Sequence, residues 1–340
     1  MAVKLSTLAR YQTHLLDHYE NFPHGRYVSL IVVRKTESET IFRTEGSGEG
    51  LVKETVIAGI QDQRPLRRVV ITKRKQTAVE RRTGRELLRE QKMLKHPKDN
   101  RGRELDHECA LNTNQPCEQC IDCMLYGFAV GGGGAQKARV ITDDAFSLAP
   151  VSQVTDRRTF NATYDNSTMR SPLDGKASTS INEDEYVRPE THFLDIETLK
   201  DVTIGELQYV IGNILRSTRY GAISSRLGRV KNTIAAIVFS DCELFSNLEL
   251  TQAVYDRLPH DEDQNLPFPL ADRDVETAIQ QATDHLLARV VSRTPVVVRG
   301  QDLDAVRAET VELYRSPEQV KALLEEIDAG YSAAARQRSK

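Results

Sequence analysis

Short apolar segments rich in β-branched residues recur through the first two thirds of the chain, and each predicts a β-strand. Polar stretches containing glycine separate them and predict turns and loops. Residues 40–44 are predicted to pair with the first strand as a hairpin, and residues 45–50, with three glycines, to form a loop. The predicted strands are residues 26–35, 68–73, 139–142, 191–198 and 232–239.

A change of the apolar period from two to about 3.6 residues marks the predicted helices. The first covers residues 79–94 and carries Lys or Arg over most of its outer face. A second begins after Thr203, because Glu206 completes a capping box and the apolar residues that follow form one stripe. The remaining predicted helices begin after Ser246, with Glu249 in the first turn, and cover residues 272–329 with breaks at 294–295 and 300.

Residues 149–184 interrupt the regular pattern with a polar, turn-rich sequence. A segment of this length without secondary structure is uncommon in compact domains unless it is functional or disordered. Its arginines and aromatic residues are able to hold a nucleic-acid backbone and to stack on a base, while disorder without a function is the alternative. These side chains are Arg157, Arg158, Phe160, Tyr164 and Arg170.

Four of the five cysteines lie within fifteen positions, beside a histidine, in the pattern His107-x-Cys109-x7-Cys117-x2-Cys120-x2-Cys123. A Cys-x2-Cys turn brings two thiolates to one point, and two further soft or borderline ligands complete a tetrahedron. The spacing therefore predicts a zinc site. We expect the four cysteines to bind the ion, with His107 either replacing one of them or supporting the site through a hydrogen bond.

The predicted zinc site is structural, because the polar residues 112–116 could not fold by themselves without a metal. A catalytic zinc ion is a minor interpretation, since no motif such as His-Glu-x-x-His accompanies the cysteines. An iron–sulfur cluster and plain buried thiols are further alternatives. Disulfides are disfavoured because Cys242 would remain unpaired and no export signal precedes the cluster.

The order strand, helix, strand, strand, helix, strand predicts an α+β fold with a ferredoxin-like or RRM-like antiparallel sheet core. A zinc-binding insertion, a long thumb-like excursion and a helical C-terminal region complete it. The predicted parts are 1–78, the first part of the core with inserted loops; 79–130, the basic helix and the zinc-binding insertion; 131–148, a core strand; 149–190, the thumb-like excursion; 191–245, the second part of the core; and 246–340, the helical region.

Composition places the chain among soluble proteins. Of its 340 residues, 39% are hydrophobic and 28% charged, and no apolar run approaches the roughly 20 residues that span a bilayer. Residues 1–20 also lack the apolar core of an export signal. We therefore expect a cytoplasmic protein without a membrane partner.

The net charge of −3 conceals an uneven distribution. Residues 64–103 contain fifteen Lys or Arg and four Asp or Glu, a net charge of +11, so the remainder of the chain carries −14. A structured basic surface of this kind suggests a partner that carries phosphates, and nucleic acid is the leading candidate. An acidic protein partner and a simple solvated face are the alternatives.

A second basic stretch lies at residues 219–231, where arginines alternate with glycines and a tyrosine. It would suit a loop and strand edge laid along a phosphate chain, although an ordinary polar hairpin has the same composition. Its candidate residues are Arg219, Tyr220, Arg226, Arg229 and Lys231.

Together with the order of elements, four segments resemble the backbone subunit of type I-D CRISPR interference complexes, the Csc-two type of the Cas-seven superfamily. The resemblance covers nearly the whole chain, and its most specific part runs from the cysteines to the glycines. The segments are 117–129, the glycines 131–134, Asp143-Asp144-Ala145-Phe146-Ser147 and Thr218-Arg219-Tyr220-Gly221.

The resemblance implies an RRM-like palm with a zinc-containing insertion and a flexible thumb, which we place at residues 149–184 by position. It also implies that several copies stack head to tail, as a helical filament, along one CRISPR RNA. Each copy would hold the guide by its backbone, displace a base with the thumb, and leave other bases to pair with target DNA or also with target RNA. The other implied partners are a Cas-five-like subunit, a Cas-ten-like large subunit and a small subunit.

Contacts to the RNA backbone suit this role, because the spacer differs in every guide while the phosphates do not. The full set of predicted RNA-binding residues is Lys73, Arg74, Lys75, Arg139, Arg157, Arg158, Phe160, Arg219, Tyr220, Arg226, Arg229 and Lys231.

Two other functions are considered besides this non-enzymatic one. The first is a metal-dependent ribonuclease that cuts guide-paired RNA, as some relatives in the wider superfamily do. No sequence pair fixes a two-metal site, and the candidate residues are Asp143, Asp144, Asp156 and Asp165. The second is a zinc-stabilised scaffold that binds protein alone, with the basic block meeting the acidic C-terminal region of the next copy.

Overall fold

The computed structural model describes residues 6–42, 50–99, 101–130, 134–161, 163–179, 181–221, 228–263, 265–293 and 295–338. Over these residues the chain forms a mixed α+β fold built on a curled antiparallel sheet. Its strands are β1 Tyr27–Thr36, β2 Lys53–Ile57, β3 Pro65–Ile71, β4 Phe128–Val130, β5 Gly134–Gln136, β6 Val140–Thr142, β7 Ala145–Ser147, β8 Thr155–Asn161, β9 Ile181–Val187, β10 His192–Lys200, β11 Arg219–Tyr220, β12 Gly228–Ser240 and β13 Val296–Val298.

The helices fall into an N-terminal group that packs near the sheet core and a C-terminal group that follows β12. They are α1 Ser6–Ala9, α2 Lys73–Glu90, α3 Ile121–Tyr126, α4 Val151–Val154, α5 Ile204–Arg216, α6 Asn247–Tyr255, α7 Asp272–Leu287, α8 Gln301–Arg315 and α9 Pro317–Arg338. Four of them, α6 to α9, lie in the part of the chain predicted as the helical C-terminal region.

The main sheet runs in the order β11-β12-β1-β10-β7-β3-β2, with β13 beside β12 and β6 beside β10. Its pairings are antiparallel. Four of these strands follow the chain order β1, α2, β6, β10, α5, β12, and in the sheet they lie in the order β12, β1, β10, β6. The β4–β5 and β8–β9 hairpins form two small separate sheets.

The central strand β1 pairs with β10 on one side and β12 on the other. The register with β12 shifts once: Val32 faces Ile234, whereas Ile31 faces Ala236, so Ala235 has no partner in β1. Such a bulge inserts one residue into one strand and locally increases its twist. The alternation of β12 side chains between the two faces of the sheet is therefore shifted by one residue after the bulge.

Both faces of the sheet are covered by helices. On one face Leu30 and Val32 of β1 belong to a buried cluster that includes residues of α5, α8 and α9. On the other face Ile31 belongs to a second cluster, which includes residues of α6 and α7. The apolar run at residues 30–33 of β1 follows from this double burial.

The two predicted helix caps are present. The side chain of Thr203 accepts from the amide of Glu206, and the Glu206 carboxylate accepts from the amide of Thr203 at 2.8 Å, which completes the capping box of α5. At the start of α6, Ser246 Oγ accepts from the amide of Glu249 at 3.1 Å. Each cap satisfies helix amides that have no partner within the helix.

Three local predictions differ from the structure. In the described part of residues 40–44, residues 40–42 form no strand, because long-range partners occupy both sides of β1. Helix α2 begins at Lys73, six residues earlier than predicted, since Asp144 Oδ1 accepts its first amide at 2.8 Å. The sequence also missed β2, β8, β9 and the short β13 within the C-terminal break.

The fully buried side chain of Arg34 joins the sheet to α2. Its guanidinium donates to Asp195 Oδ2 at 2.6 Å and to Glu197 Oε1 at 2.6 Å, both on β10, and to Glu80 Oε1 on α2 at 2.8 Å. It also donates to Tyr220 Oη at 3.0 Å. A buried cation requires such compensation, because desolvation of an unpaired charge costs several kcal/mol or more.

Three carboxylates around one guanidinium cannot all be ionised at low cost. Burial, followed by the charge of Glu80, raises the pKa of Glu197 well above its ordinary range. Burial also raises the pKa of Glu80. Within the described part of the chain, the second oxygens of both carboxyl groups lack a hydrogen-bond donor. We infer that Glu197 is protonated in the folded protein.

This inference predicts the pH dependence of Glu197→Gln, whose amide imitates the protonated acid. A carboxyl group with a higher pKa in the folded state binds a proton on folding, so its contribution weakens as pH rises above about 4.3. Relative to the wild type, Glu197→Gln should therefore gain unfolding free energy between pH 5 and pH 8. Urea denaturation at several pH values measures this difference.

The matched control is Glu90→Gln, which makes the same substitution at an exposed position at the end of α2, away from the buried carboxyl groups. A constant difference between Glu197→Gln and the wild type would mean that Glu197 is ionised in the folded protein.

Candidate metal centre and nucleic-acid interface

Cys109, Cys117, Cys120 and Cys123 are buried, and their sulfur atoms all lie within 4.8 Å of one another. Cys109 Sγ is 3.6 Å from Cys123 Sγ, and Cys117 Sγ is 3.9 Å from Cys123 Sγ. Four metal–sulfur bonds of about 2.3 Å in a tetrahedron place the sulfurs about 3.8 Å apart. The four side chains therefore fit a tetrahedral metal–thiolate centre.

The backbone around the cysteines supports this arrangement. The amide of Cys117 donates to Cys109 Sγ at 3.3 Å, and the amide of Cys120 donates to Cys117 Sγ at 3.3 Å. Glu118 has a φ of +62°, which turns the chain between Cys117 and Cys120. Such N–H···S bonds favour the charged thiolate, the form that binds metals.

The four thiols hydrogen-bond to one another, and these bonds shift their pKa values in opposite directions. Hydrogen bonds from the Cys117 and Cys120 thiols lower the pKa of Cys109, whereas the hydrogen bond to Cys109 raises the pKa of Cys120. His107 lies outside this group: its ring is exposed, and Nδ1 is 3.0 Å from the carbonyl oxygen of Glu108.

Two arginines of α2 attach the cysteine segment, residues 109–123, to the helix. Arg81 binds the buried Asp122 through two hydrogen bonds of 2.9 and 2.8 Å. Arg85 donates to Asp122 Oδ2 at 2.9 Å and to the carbonyl oxygen of Cys109. Burial opposes the charge of Arg85, but Asp122 and Cys109 raise its pKa above the ordinary value. The predicted basic face of the helix is thus partly internal.

The exposed side of α2 forms the floor of two adjoining clefts, which share Arg74, Thr77 and Arg81. The first has a volume of about 220 Å³ and lies between α2, the cysteine segment and β4. The second, of about 500 Å³, lies between α2, β6 and Lys137, which follows the β4–β5 hairpin. We call the two clefts together the α2 groove.

Several cations of the α2 groove have no carboxylate partner. Within the described ranges, Lys73, Arg82 and Lys137 take part in no ion pair. Arg74 donates to Asn112 Oδ1 at a long 3.4 Å. Unpaired, exposed cations along one groove create a positive potential that attracts a phosphate chain.

The structure distributes the other predicted RNA-binding residues over several places. Lys75 is half-buried beside Lys73 and Arg74 on α2. Arg139 is buried, where it binds Glu206 and Tyr331, so its guanidinium faces the core. Burial opposes its charge, but Glu206 raises its pKa above the ordinary value.

The β8–β9 hairpin carries the predicted residues of the polar excursion. Arg157 and Arg158 are exposed on β8, where Arg157 lies 3.4 Å from Glu183 and Arg158 lies 2.6 Å from Glu39. Phe160 also belongs to β8, but its side chain lies outside the described part of the structure.

The second basic stretch lies at the edge of the main sheet. Arg219 of β11 is opposite Arg229 of β12, and Lys231 follows two residues later on the same side of β12. Arg229 also binds Glu37 at 2.8 Å. Tyr220 is buried beside Arg34, and Arg226 lies outside the described residues.

Three of the four aspartates considered for catalysis make local hydrogen bonds, Asp143 through its main chain. Asp144 caps α2, and Asp156 Oδ1 accepts from the amide of Arg157 at 2.8 Å. Asp143 accepts from Gln76 through its main-chain carbonyl at 2.9 Å. Among the described residues, the four cysteines are the one group of three or more side chains placed to hold a metal.

Sequence reasoning missed the partners that shape the groove. Arg82, Lys137, Asn112 and Phe128 line it, although they lie in four separate parts of the chain. The one available signal was Asp122 inside the cysteine motif, whose negative charge among metal ligands requires a nearby cation.

Comparison with known proteins identifies the family of this chain. The family model described as Csc2 Crispr matches residues 14–324. A match over this span makes the chain a CRISPR-associated protein. It belongs to the Csc2 family, which confirms the resemblance found in the sequence.

A solved structure shares this fold, and a second solved structure shows a weaker likeness. The crystal structure of Thermofilum pendens Csc2 has 16% sequence identity and a TM-score of 0.60, and the match covers 97% of this chain and 98% of that chain. A chain of a CRISPR RNA-guided surveillance complex, pre-nicking, has 8% identity and a TM-score of 0.47, with 84% of this chain and 99% of that chain covered. No curated protein matches the chain.

In the described part of the chain, no helix has both the length and the apolar character that crossing a bilayer requires.

We expect Cys120→Ser to lose its metal, because a buried hydroxyl cannot replace a thiolate in a four-sulfur centre. Metal analysis by mass spectrometry of purified protein should find about one ion per wild-type chain and a small fraction of that in the variant. Cys242→Ser is the control, since Cys242 lies outside the group. A full equivalent of metal in Cys120→Ser would exclude Cys120 as a ligand.

Proposed function

We propose that the chain is a repeating backbone subunit of a type I-D CRISPR surveillance complex, and that it binds CRISPR RNA in the α2 groove without regard to sequence. The unpaired cations Lys73, Arg82 and Lys137 along one groove carry this proposal, in a chain of the Csc2 family. Phosphate contacts give affinity without base preference, so every spacer is held equally well. The bases remain available to pair with target DNA.

The cysteine segment takes a structural zinc ion in this proposal. Four thiolates in a closed tetrahedron leave no open position for a substrate, as is usual for structural zinc. When bound, the ion would hold Cys109 against the turn at 117–123. Asp122 lies in this turn and binds Arg81 and Arg85, so the turn would be fixed to α2. The segment would then be a fixed wall of the RNA groove.

The core is an RRM-like or ferredoxin-like sheet in this proposal. The strand order β12, β1, β10, β6, with α2 and α5 as the two crossover helices, supports it. The β8–β9 hairpin is the thumb: it leaves the core between β7 and β10, and near its tip Leu173 is 95% exposed. Arg157 and Arg158 on β8 would meet the RNA from a second side.

The basic edge formed by Arg219, Arg229 and Lys231 provides a second tract for the phosphate chain. Copies stacked head to tail along one guide would make the RNA continuous between the α2 groove of one subunit and an edge of the next. Other subunits of the complex would close the ends and the side of this filament. They are a Cas-five-like subunit, a Cas-ten-like large subunit and a small subunit. The role is structural rather than catalytic.

A double charge reversal tests RNA binding in the α2 groove. Lys73→Glu with Arg82→Glu should weaken binding of single-stranded RNA uniformly across unrelated sequences. Two lost phosphate contacts should also reduce the slope of log K against log salt by about 1.4. Filter binding over a series of salt concentrations, with three RNAs of unrelated sequence, measures both effects.

Arg273→Glu with Arg289→Glu is the matched control, because it makes the same charge change on exposed residues at and just beyond the two ends of α7. Equal losses in the two double variants would indicate a long-range charge effect instead of a binding groove. A loss confined to one RNA sequence would contradict recognition through the backbone.

A further inference from the structure

The part of the α2 groove beside the cysteine segment differs from the rest in shape and lining. Its volume of about 220 Å³ lies below the roughly 300–1,000 Å³ typical of pockets for drug-sized ligands. It is therefore too small for a folded element and suits one flat group. We call it the side cleft, lined by Thr77, Leu111, Asn112, Thr113, Pro116 and Phe128 among others.

The walls of the side cleft combine apolar and polar surfaces. Leu111, Pro116 and Phe128 are half-buried, and Phe128 packs against the core while it also lines the cleft. A ring held in this way offers a fixed aromatic surface for stacking, since it loses little freedom on contact. Asn112 and Thr113 are exposed at the polar wall.

A weak contact spans the side cleft. Arg74 of α2 reaches Asn112 Oδ1 of the cysteine segment at 3.4 Å, near the limit for a hydrogen bond. Asn112 has a φ of +59°, a left-handed conformation that Asn tolerates better than most residues. A ligand that hydrogen-bonds either side chain could replace this contact at little cost.

We propose that the side cleft receives one base of the bound RNA, stacked on Phe128 with its polar edge toward Asn112 and Thr113. This inference rests on RNA binding in the α2 groove: Arg74 and Arg82 at the cleft would hold the phosphates on either side of the base. An amide and a hydroxyl can each both donate and accept hydrogen bonds, so the cleft accepts all four bases.

Base and backbone contacts are separated by two ligands of equal length: a single-stranded RNA, and the same ribose–phosphate chain without bases. Phe128→Leu removes the aromatic surface and keeps an apolar side chain against the core. It should weaken binding of the intact RNA about tenfold, as expected for loss of one stacked base, and leave binding of the abasic chain and the salt slope unchanged. Phe128→Tyr should restore the affinity.

Each other outcome is decisive. Equal weakening for both ligands, or no weakening for either, would overturn the base site while leaving the α2 groove intact. Absence of binding to both ligands by the wild type would instead overturn the proposed function. As a second measurement, 4-thiouridine in the bound RNA should photo-crosslink to the peptides containing residues 109–116 or 127–130. Crosslinks confined to other peptides, or a crosslinked protein partner that competes with the RNA, would exclude the base site.

Discussion

Arg34 is fully buried, and the need to compensate its charge organises the centre of the molecule. Asp195 and Glu197 bring β10 to it, Glu80 brings α2, and Tyr220 brings β11. Because an uncompensated charge in this position would cost several kcal/mol or more, these elements cannot shift independently of one another. The inner side of α2 is thus fixed to the sheet, which leaves its outer side as a rigid platform. The cysteine segment and the β4–β5 hairpin are arranged along that platform.

The same packing explains why the cations gather at α2 and not on the sheet. Where an open sheet binds RNA, its aromatic side chains stack on the bases. In the described part of this chain, one face of the sheet is covered by α6 and α7, whose residues form one core cluster with Ile31. Surface suited to a nucleic-acid chain is therefore found at a helix, beside an inserted segment and at the sheet edge. An inserted wall held by Asp122 gives this helix the concavity that a single exposed helix lacks.

The sequence predicted those parts whose physical cause is local or leaves a strong pattern. Strands β1 and β10 are buried at most positions and contain runs of apolar residues, and a capping box marks the start of α5. Ligand spacing makes the cysteine group visible because its chemistry depends on short turns. Strands β8 and β9 were missed, since the polar sequence of β8 and the acidic first half of β9 carry no apolar alternation.

The candidate RNA-binding residues were harder to predict than the elements, because residue type does not reveal the direction of a side chain. Arg81 and Arg85 bind Asp122, and Arg139 binds Glu206. Arg82 lies between Arg81 and Arg85 in the sequence, yet its side chain is exposed. Only the three-dimensional partners distinguish these arginines. The excess of positive charge identified a helix rich in cations but could not separate the cations that bind carboxylates from those that do not.

The bulge at Ala235 has a consequence for how this chain can vary. Asn232, before the bulge, binds Arg34, and Ile237, after the bulge, belongs to the core cluster on the same face of the sheet. In a regular strand, two residues five positions apart would point to opposite faces. If one residue were removed here, either Asn232 or Ile237 could keep its place, but the other side chain would then point to the opposite face of the sheet. Substitution of a side chain in β12 is therefore tolerated better than insertion or deletion of a residue. Related chains should differ in sequence here but keep the number of residues between Asn232 and Ile237 constant.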